Sequence, residues 1–479
     1  MIQFEIKKNT AHPGEFSYDL KALALSFFPE QECQVAERED WRDKTGYPAR
    51  CQMDGQVVWE EDLPEGYTKN QVKVSLYRAF ADVSGRRLPW GILTGIRPVK
   101  IPLRMKMAGK SKEEIRDCLR EEYLVGESKI SLALAVAERE YELTRSFSHE
   151  RGYNVYIGIP FCPSICQYCS FSSYDYVRYE NRVEDYLAAL EKEMRGAGRD
   201  NSRELHTIYV GGGTPTSLTE KQLGRLMEMI HAHLPVEQAL EFTVEAGRPD
   251  SITREKLRIL KEAGVTRVSI NPQTMKQHTL DLLGRRHRVE QVAEAFHMAR
   301  EAGFDNINMD LIVGLPEEDE VDFFNTLNRV CELEPDSITV HTLVIKRAGR
   351  LRRKQLEQGG GIQPEDTLIP VLQRISGEYL QEKGYEPYYM YRQKNKAGTT
   401  RNTNQENVAY ARPGKECLYN IFIMEELETI VALGSGGATK QVFYGEDRME
   451  RIENVKSVED YIARIDEMIE RKRAAGIGG

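Results

Sequence analysis

The chain has 479 residues, 40% of them hydrophobic, and a formal net charge of −9. That length holds two to four units of ~100 to 200 residues with substantial cores, and the negative balance excludes a nonspecific nucleic-acid binder, which needs a broad positive field. No apolar run of about eighteen residues occurs, and the opening MIQFEIKKNTAHPGEF lacks a charged-then-apolar leader, so neither a membrane span nor secretion is expected and the expected compartment is the cytoplasm.

Residues 1–150 read as mixed short strands and turns, followed by the helical stretch SKEEIRDCLREEYLVGESKISLALAVAEREYELTRSF. This predicts a separate α+β domain. From Tyr153 short β-branched runs alternate with amphipathic stretches, the pattern of parallel strands joined by crossover helices. The predicted strands are NVYIGI (154–159), HTIYVGG (206–212), LEFTVEA (240–246), TRVSIN (266–271), NINMDLIVG (306–314) and DSITVHTLV (336–344). Residues 151–385 thus form a core of six βα units, which suits either a barrel-like sheet or a doubly wound open one. Residues 386–479 run from the aromatic YEPYYMYRQKNKAG through TTRNTNQENV and ALGSGGATK to a last helix, SVEDYIARIDEMIERKRAAG, and are predicted as a mainly helical extension that covers substrate.

The polar motifs gather at the carboxyl ends of those strands, the face where parallel α/β folds place chemistry. A cysteine loop follows the first strand, GGGTP (211–215) the second, Glu245 ends the third, Gln273 follows the fourth and Asp310 lies in the fifth. Five of the eight cysteines (Cys33, Cys51, Cys118, Cys331 and Cys417) are scattered and read as packed thiols. The other three, Cys162, Cys166 and Cys169, crowd into IPFCPSICQYCSFSS. In a reducing compartment such clustering points to a metal or to catalysis. A structural zinc site wants four ligands in paired knuckles, and no second knuckle is present. An iron–sulfur cluster with three protein thiolates, leaving one iron open, is the better match.

CxxxCxxC after a first strand, with Tyr168 just before the last cysteine, resembles the radical S-adenosylmethionine (SAM) superfamily. YIGIPFC, YVGGGTPTSL, INPQT, GRRH and MDLIVGLP narrow the resemblance to the oxygen-independent coproporphyrinogen III dehydrogenases and their relatives, over roughly residues 153–345. LTGIRPVK (93–100), YYMYRQKNKAG (388–398) and the long amino-terminal region resemble the HemZ-type branch. The resemblance implies a partial (β/α)6 TIM-like barrel and a [4Fe-4S] cluster on Cys162, Cys166 and Cys169. It further implies a SAM held through Tyr156, Gly212 and Glu245, and a second SAM near Tyr168, Gly213, Thr214, Gln273, Arg285 and Asp310. It assigns no catalytic side chain beyond the cluster.

The implied reaction converts two propionates of coproporphyrinogen III to vinyl groups with loss of carbon dioxide. Its implied partners are a tetrapyrrole and a flavodoxin- or ferredoxin-like reductant, with the protein a monomer. Asp310 inside an apolar strand demands a partner, whereas Arg285 by itself reads as a solvated helix-end cation. KRAGRLRRK (346–354), with Arg392 and Lys394, reads either as a solvated basic face or as contacts for substrate carboxylates. Tyr388, Tyr389 and Tyr391 read either as a core edge or as a surface for a macrocycle.

Two positions depart from the main branch, which has a fourth cysteine where this chain has Phe171 and a histidine where it has Gly158. A Cys-to-Phe change also occurs in relatives that resemble haem chaperones. A haem-delivery protein, with His341, His278 or His287 as candidate ligand, and a radical tetrapyrrole methyltransferase are therefore the alternative readings.

Overall fold

The structure is a computed structural model and describes residues 1–7, 16–41, 46–63, 67–169, 171, 173–197, 203–343, 368–393 and 405–478. Its contacts divide the chain into two units, Met1–Glu142 with Met390–Glu406, and Leu143–Tyr389 with Asn407–Gly479.

In the first unit a four-stranded sheet has the order β2-β1-β3-β4, formed by β1 (Ile2–Lys7), β2 (Cys33–Arg38), β3 (Tyr47–Met53) and β4 (Gln56–Leu63). IQFEIK alternates apolar and polar residues, so Ile2, Phe4 and Ile6 are buried on one face. They meet Leu20, Leu23 and Phe27 of the helix Ser17–Phe27 and Val72, Leu76 and Phe80 of the helix Lys69–Ser84. The Ser17–Phe27 helix is the crossover that lets β1 and β2 run parallel. Thr68 and Gln71 start the second helix with a reciprocal capping box.

The second unit is built on a sheet of eleven strands in the order β13-β14-β12-β11-β10-β9-β8-β5-β15-β16-β17. Its members are β5 (Gly152–Ile159), β8 (Glu204–Gly212), β9 (Glu241–Glu245), β10 (Arg267–Ser269), β11 (Ile307–Val313), β12 (Ser337–Thr342), β13 (Glu386–Arg392), β14 (Glu406–Ala411), β15 (Thr429–Leu433), β16 (Ala438–Phe443) and β17 (Arg448–Glu453). Two-residue strands β6 (Phe161–Cys162) and β7 (Tyr174–Asp175) pair apart from it. β5, β8, β9, β10, β11 and β12 are the six predicted strands, mutually parallel and in chain order. Their near-continuous apolar runs reflect cover on both faces, as crossover helices require.

A seventh parallel strand, β15, pairs with the free side of β5 in the register Thr429↔Tyr153 to Leu433↔Ile157. Among the described residues, 386–479 hold the helices Leu418–Glu425, Val458–Ala463 and Ile465–Ala474, the last two where one closing helix is expected, and five strands besides. The run TIVAL is short and wholly buried, and periodicity alone cannot tell such a run from a helical segment. The loop after it, Gly434 to Gly437, stands at the same end of the sheet as GGGTP. Gly434 has φ 93°, and a Cβ there would lie 2.5 Å from the Gly158 carbonyl oxygen.

Candidate functional site

After β5 the chain turns at Pro160 into β6, whose Cys162 pairs with Asp175 of β7. The cysteine loop is tied down at several points. Tyr174 N–H donates to the Pro160 carbonyl (2.7 Å), Cys169 N–H to the Cys166 carbonyl (3.2 Å) and Gln167 N–H to the Leu283 carbonyl (2.9 Å). The Ser164 hydroxyl donates to the Gly284 carbonyl (3.0 Å). Donors are also turned on the sulfurs: the Thr214 hydroxyl lies 3.6 Å from Cys162 Sγ, and Nη1 of Arg248 and of Arg285 lie 3.6 and 3.9 Å from Cys166 Sγ.

Burial pushes the Cys162 thiol up to about 12, with Cys166 and Cys169 adding to the effect and Thr214 and Arg248 opposing it. Donors on sulfur favour thiolate, the form that binds iron. Among the described residues no three His, Cys, Asp or Glu side chains converge on a single-ion site.

The second strand's glycines bring backbone against this loop. Gly212 has φ 103°, and a Cβ on it would lie 2.8 Å from the Tyr156 hydroxyl. A Cβ on Gly213 would lie 2.6 Å from the Phe161 carbonyl oxygen. Gly213 N–H donates to Ile159 O (2.8 Å) and Thr214 N–H to Phe161 O (2.7 Å). These are positions where only glycine lets two backbones meet.

Beneath them Tyr156, Tyr209 and Tyr419 stack, with Tyr209 and Tyr419 ring centres 4.5 Å apart. The Tyr209 hydroxyl donates to Glu245 at 2.6 Å. Burial raises the Glu245 carboxyl to about 7, opposed by the Tyr209 hydroxyl and the Gly212 N–H and assisted by Asp310. Sequence reading missed Tyr209, because a tyrosine in an apolar strand has no spacing signature.

Gln273 sits at φ 68° in an isolated parallel bridge to Leu311, its N–H bonded to Asp310 O (2.9 Å) and its carbonyl to Ile312 N–H (3.0 Å). Its side-chain Oε1 is buried with no partner. Such an atom calls for a ligand or water. Asp310 has the partner it demands: His341 Nε2 at 3.7 Å, with Asn308 Nδ2 donating at 2.7 Å. Burial pushes the Asp310 carboxyl up, but His341, Asn308 and Thr339 outweigh it and hold the group below its ordinary value. Burial likewise opposes a charge on His341, yet Asp310 raises its imidazole.

Arg285 is buried, not solvated, which overturns the default for a lone helix-end arginine. Its Nη2 donates to the Gly247 and Asn271 carbonyls and its Nη1 to the Tyr168 hydroxyl (3.3 Å). Tyr168 packs against Leu283, Ile312, Leu315 and Leu343. All the predicted site residues therefore stand on the loop after β5, in or just beyond the carboxyl ends of β8, β9 and β10, or in β11, apart from Tyr156 within β5 and Arg285 in the loop beyond the helix Gln277–Leu282. Arg248, which the sequence reading did not single out, joins them from the EAGRPD turn just past Glu245.

Other expectations lie elsewhere. Residues 346–354 and Lys394 fall outside the described residues. Arg392 Nη1 donates to the Leu93 carbonyl inside the first unit. Tyr388 and Tyr389 are buried as core residues. Among the candidate haem ligands His341 is held by Asp310, the exposed His278 by Glu317, and His287 is fully buried with neither ring nitrogen partnered. Burial and Arg285 push the His287 imidazole down to about 3. Phe171 is 73% exposed, and a Cβ on Gly158 would come within 3.3 Å of the Leu433 carbonyl oxygen.

The radical SAM superfamily model matches residues 156–330. The chain is 38% identical over 420 residues to the oxygen-independent coproporphyrinogen-III oxidase-like protein HemZ of Bacillus subtilis, covering 86% of this chain and 82% of that protein. It is 43% identical over 195 residues to the heme chaperone HemW of the same organism, covering 40% of this chain and 51% of that one. The solved structure of coproporphyrinogen III oxidase (HemN) from Escherichia coli, described as a radical SAM enzyme, superposes with a TM-score of 0.51 at 24% identity, over 71% of this chain and 73% of that chain.

Proposed function

Because the chain belongs to the radical SAM superfamily, in the family of the coproporphyrinogen-III oxidase-like protein HemZ, we propose that it oxidatively decarboxylates propionate side chains of coproporphyrinogen III. Two such rounds give protoporphyrinogen IX. Membership implies a [4Fe-4S] cluster and SAM, which when bound supply one-electron chemistry able to remove hydrogen from an unactivated C–H bond. The observation that carries the reading is the likeness to HemZ over most of both chains, beside the family model's match across the thiol loop. Each round then removes one hydrogen atom, one carbon dioxide and one electron from a propionate, the electron passing to a one-electron acceptor.

The side chains have distinct tasks in this reading. Cys162, Cys166 and Cys169 hold the cluster. Glu245, balanced near neutrality, accepts the ammonium of SAM, and the backbone at Gly212 approaches its amino-acid end. Asp310, kept ionised by His341, accepts ribose hydroxyls or a second ammonium. Gln273 Oε1 awaits a donor, and Arg285, fixed by two backbone carbonyls, offers its unpartnered Nε–H to a carboxylate. With Tyr168, Gly213 and Thr214 these residues form the site of a second SAM. The tyrosine stack excludes water beneath them, which keeps a reactive species from side reactions.

The test is anaerobic incubation of cluster-loaded protein with SAM, a low-potential reductant and coproporphyrinogen III. The proposal expects 5′-deoxyadenosine and a vinyl-bearing product together; deoxyadenosine without that product would retain the chemistry and remove the substrate. A labelled methyl group on product would turn the reading to a methyltransferase. The HemW similarity and Phe171 favour a second reading, a haem-delivery protein. Against it stands the engagement or burial of each candidate histidine. Stoichiometric haem retention without turnover of SAM would decide for it.

A further inference from the structure

Two buried guanidinium groups, those of Arg248 and Arg285, each turn an Nη1 on Cys166 Sγ. Arg285, one of the two cations, already has a place in the second SAM site; Arg248 has none. The Arg248 side chain is 3% exposed. Its Nε and Nη2 grip Asp250 at 3.0 and 2.8 Å, Nη1 and Nη2 reach the carbonyl and hydroxyl of Ser164 at 3.2 and 3.1 Å, and Nη1 also points at Cys166 Sγ at 3.6 Å. These bonds use all five N–H groups of the guanidinium, so the cation is fixed in place with one donor on sulfur. Asp250 orients it, and Ser164, two residues before Cys166, ties it to the loop.

We propose that Arg248 is a positioning residue that sets Cys166 in place and raises the reduction potential of the iron–sulfur cluster held by Cys162, Cys166 and Cys169. One-electron reduction of such a cluster by a low-potential reductant would add one negative charge to it while no bond is made or broken. A buried cation and an N–H···S hydrogen bond stabilise that added charge more than the oxidised state. Asp250 offsets part of the cation's field. The inference rests on the cluster reading of the site and is independent of the substrate.

The experiment is an anaerobic redox titration of reconstituted protein without SAM, followed by electron paramagnetic resonance, with iron and sulfide assayed first. Arg248→Gln is expected to shift the midpoint to lower potential, and Arg248→Lys to recover part of the shift. Asp250→Asn is expected to shift it the other way, because the cation is then uncompensated. Equal midpoints for the parent and Arg248→Gln at equal iron content would overturn the inference. Should Arg248→Gln fail to take up iron, Asp250→Asn decides, and an unmoved midpoint there overturns it too. A parent protein that takes up no cluster would overturn the cluster reading itself, a result distinct from an unmoved potential.

Discussion

At Glu245 opposing influences meet: burial and Asp310 favour the neutral acid, whereas Arg267 and two hydrogen bonds, from the Tyr209 hydroxyl and the Gly212 N–H, favour the carboxylate. Tyr209→Phe removes one of the two and moves the carboxyl above about 7. Gripping an ammonium needs the ionised form, so SAM affinity rises with pH through the Glu245 titration. The variant is expected to bind SAM roughly tenfold or more weakly at pH 7, the loss of a hydrogen bond to a charged group, and to need a higher pH than the parent to reach its best affinity. Isothermal titration of cluster-loaded protein with SAM across pH 6–9 measures both, and a pH profile that stays in place would remove Tyr209 from this role. Gly213→Ala tests the close approach: its methyl would meet two backbone carbonyls, at 2.6 and 2.8 Å, that no side-chain rotation can move. It is expected to lower stability by about 1–3 kcal/mol, as overpacking does, and to reduce iron uptake, read from urea melts and iron assay.

Elements are joined by two buried polar clusters. Near the start of the parallel strands Glu428, just before β15, receives His149 Nδ1 (2.8 Å), His206 Nδ1 (3.0 Å) and Asn154 Nδ2 (2.9 Å), tying β15 to β5 and β8. Burial opposes charge on His206 and on Glu428, yet each holds the other ionised: the imidazole is raised and the carboxyl lowered. The carboxyl contributes stability above its ordinary value of 4.5 and loses it as pH falls further; the imidazole contributes below 6.5 and loses it as pH rises through its raised value. Glu428→Gln is therefore expected to lower the melting temperature most between about pH 5 and 6.5 and less at pH 8–9, which a melting series across pH checks.

The second cluster has Lys472 and Glu193 fully buried at 2.7 Å, with Tyr461, Asn454 and the Gly434 N–H completing the carboxylate's bonds. It fixes the Gly434 loop beside Gly158. Lys472→Met leaves an uncompensated buried charge and is expected to cost about 3–5 kcal/mol in urea unfolding. Glu193→Gln in the same chain is expected to restore part of that, and no recovery would mean that packing, not charge, made the loss.

For the whole molecule, the six central strands were legible because parallel strands covered on both faces read as short, largely apolar runs alternating with amphipathic helices. β15 was not, since TIVAL carries no period and its partner β5 lies far back in the sequence. Site residues followed from strand ends and motif spacing, whereas Arg248 and the burial of Arg285 depend on which loops tertiary packing brings together. The first unit shows the same limit: Glu406, 1% exposed, accepts Trp90 Nε1 and Lys129 Nζ, each at 2.7 Å, across a separation of 316 and 277 residues. Trp41, Trp59 and Trp90 are the three tryptophans of the chain and all belong to this unit. Glu406→Gln is expected to lower the urea midpoint followed by tryptophan fluorescence by about 1–3 kcal/mol equivalent, and an unchanged fluorescence transition would deny Glu406 that part.

The lateness of β15 bears on synthesis. When the ribosome has made β5 and β8, one flank of an almost wholly apolar strand still has its backbone amides and carbonyls bare, and it stays so until Leu433 has emerged. An unsealed strand flank is a template for pairing with other nascent chains. Chains that stop short of residue 429 are thus expected to collect in the insoluble fraction.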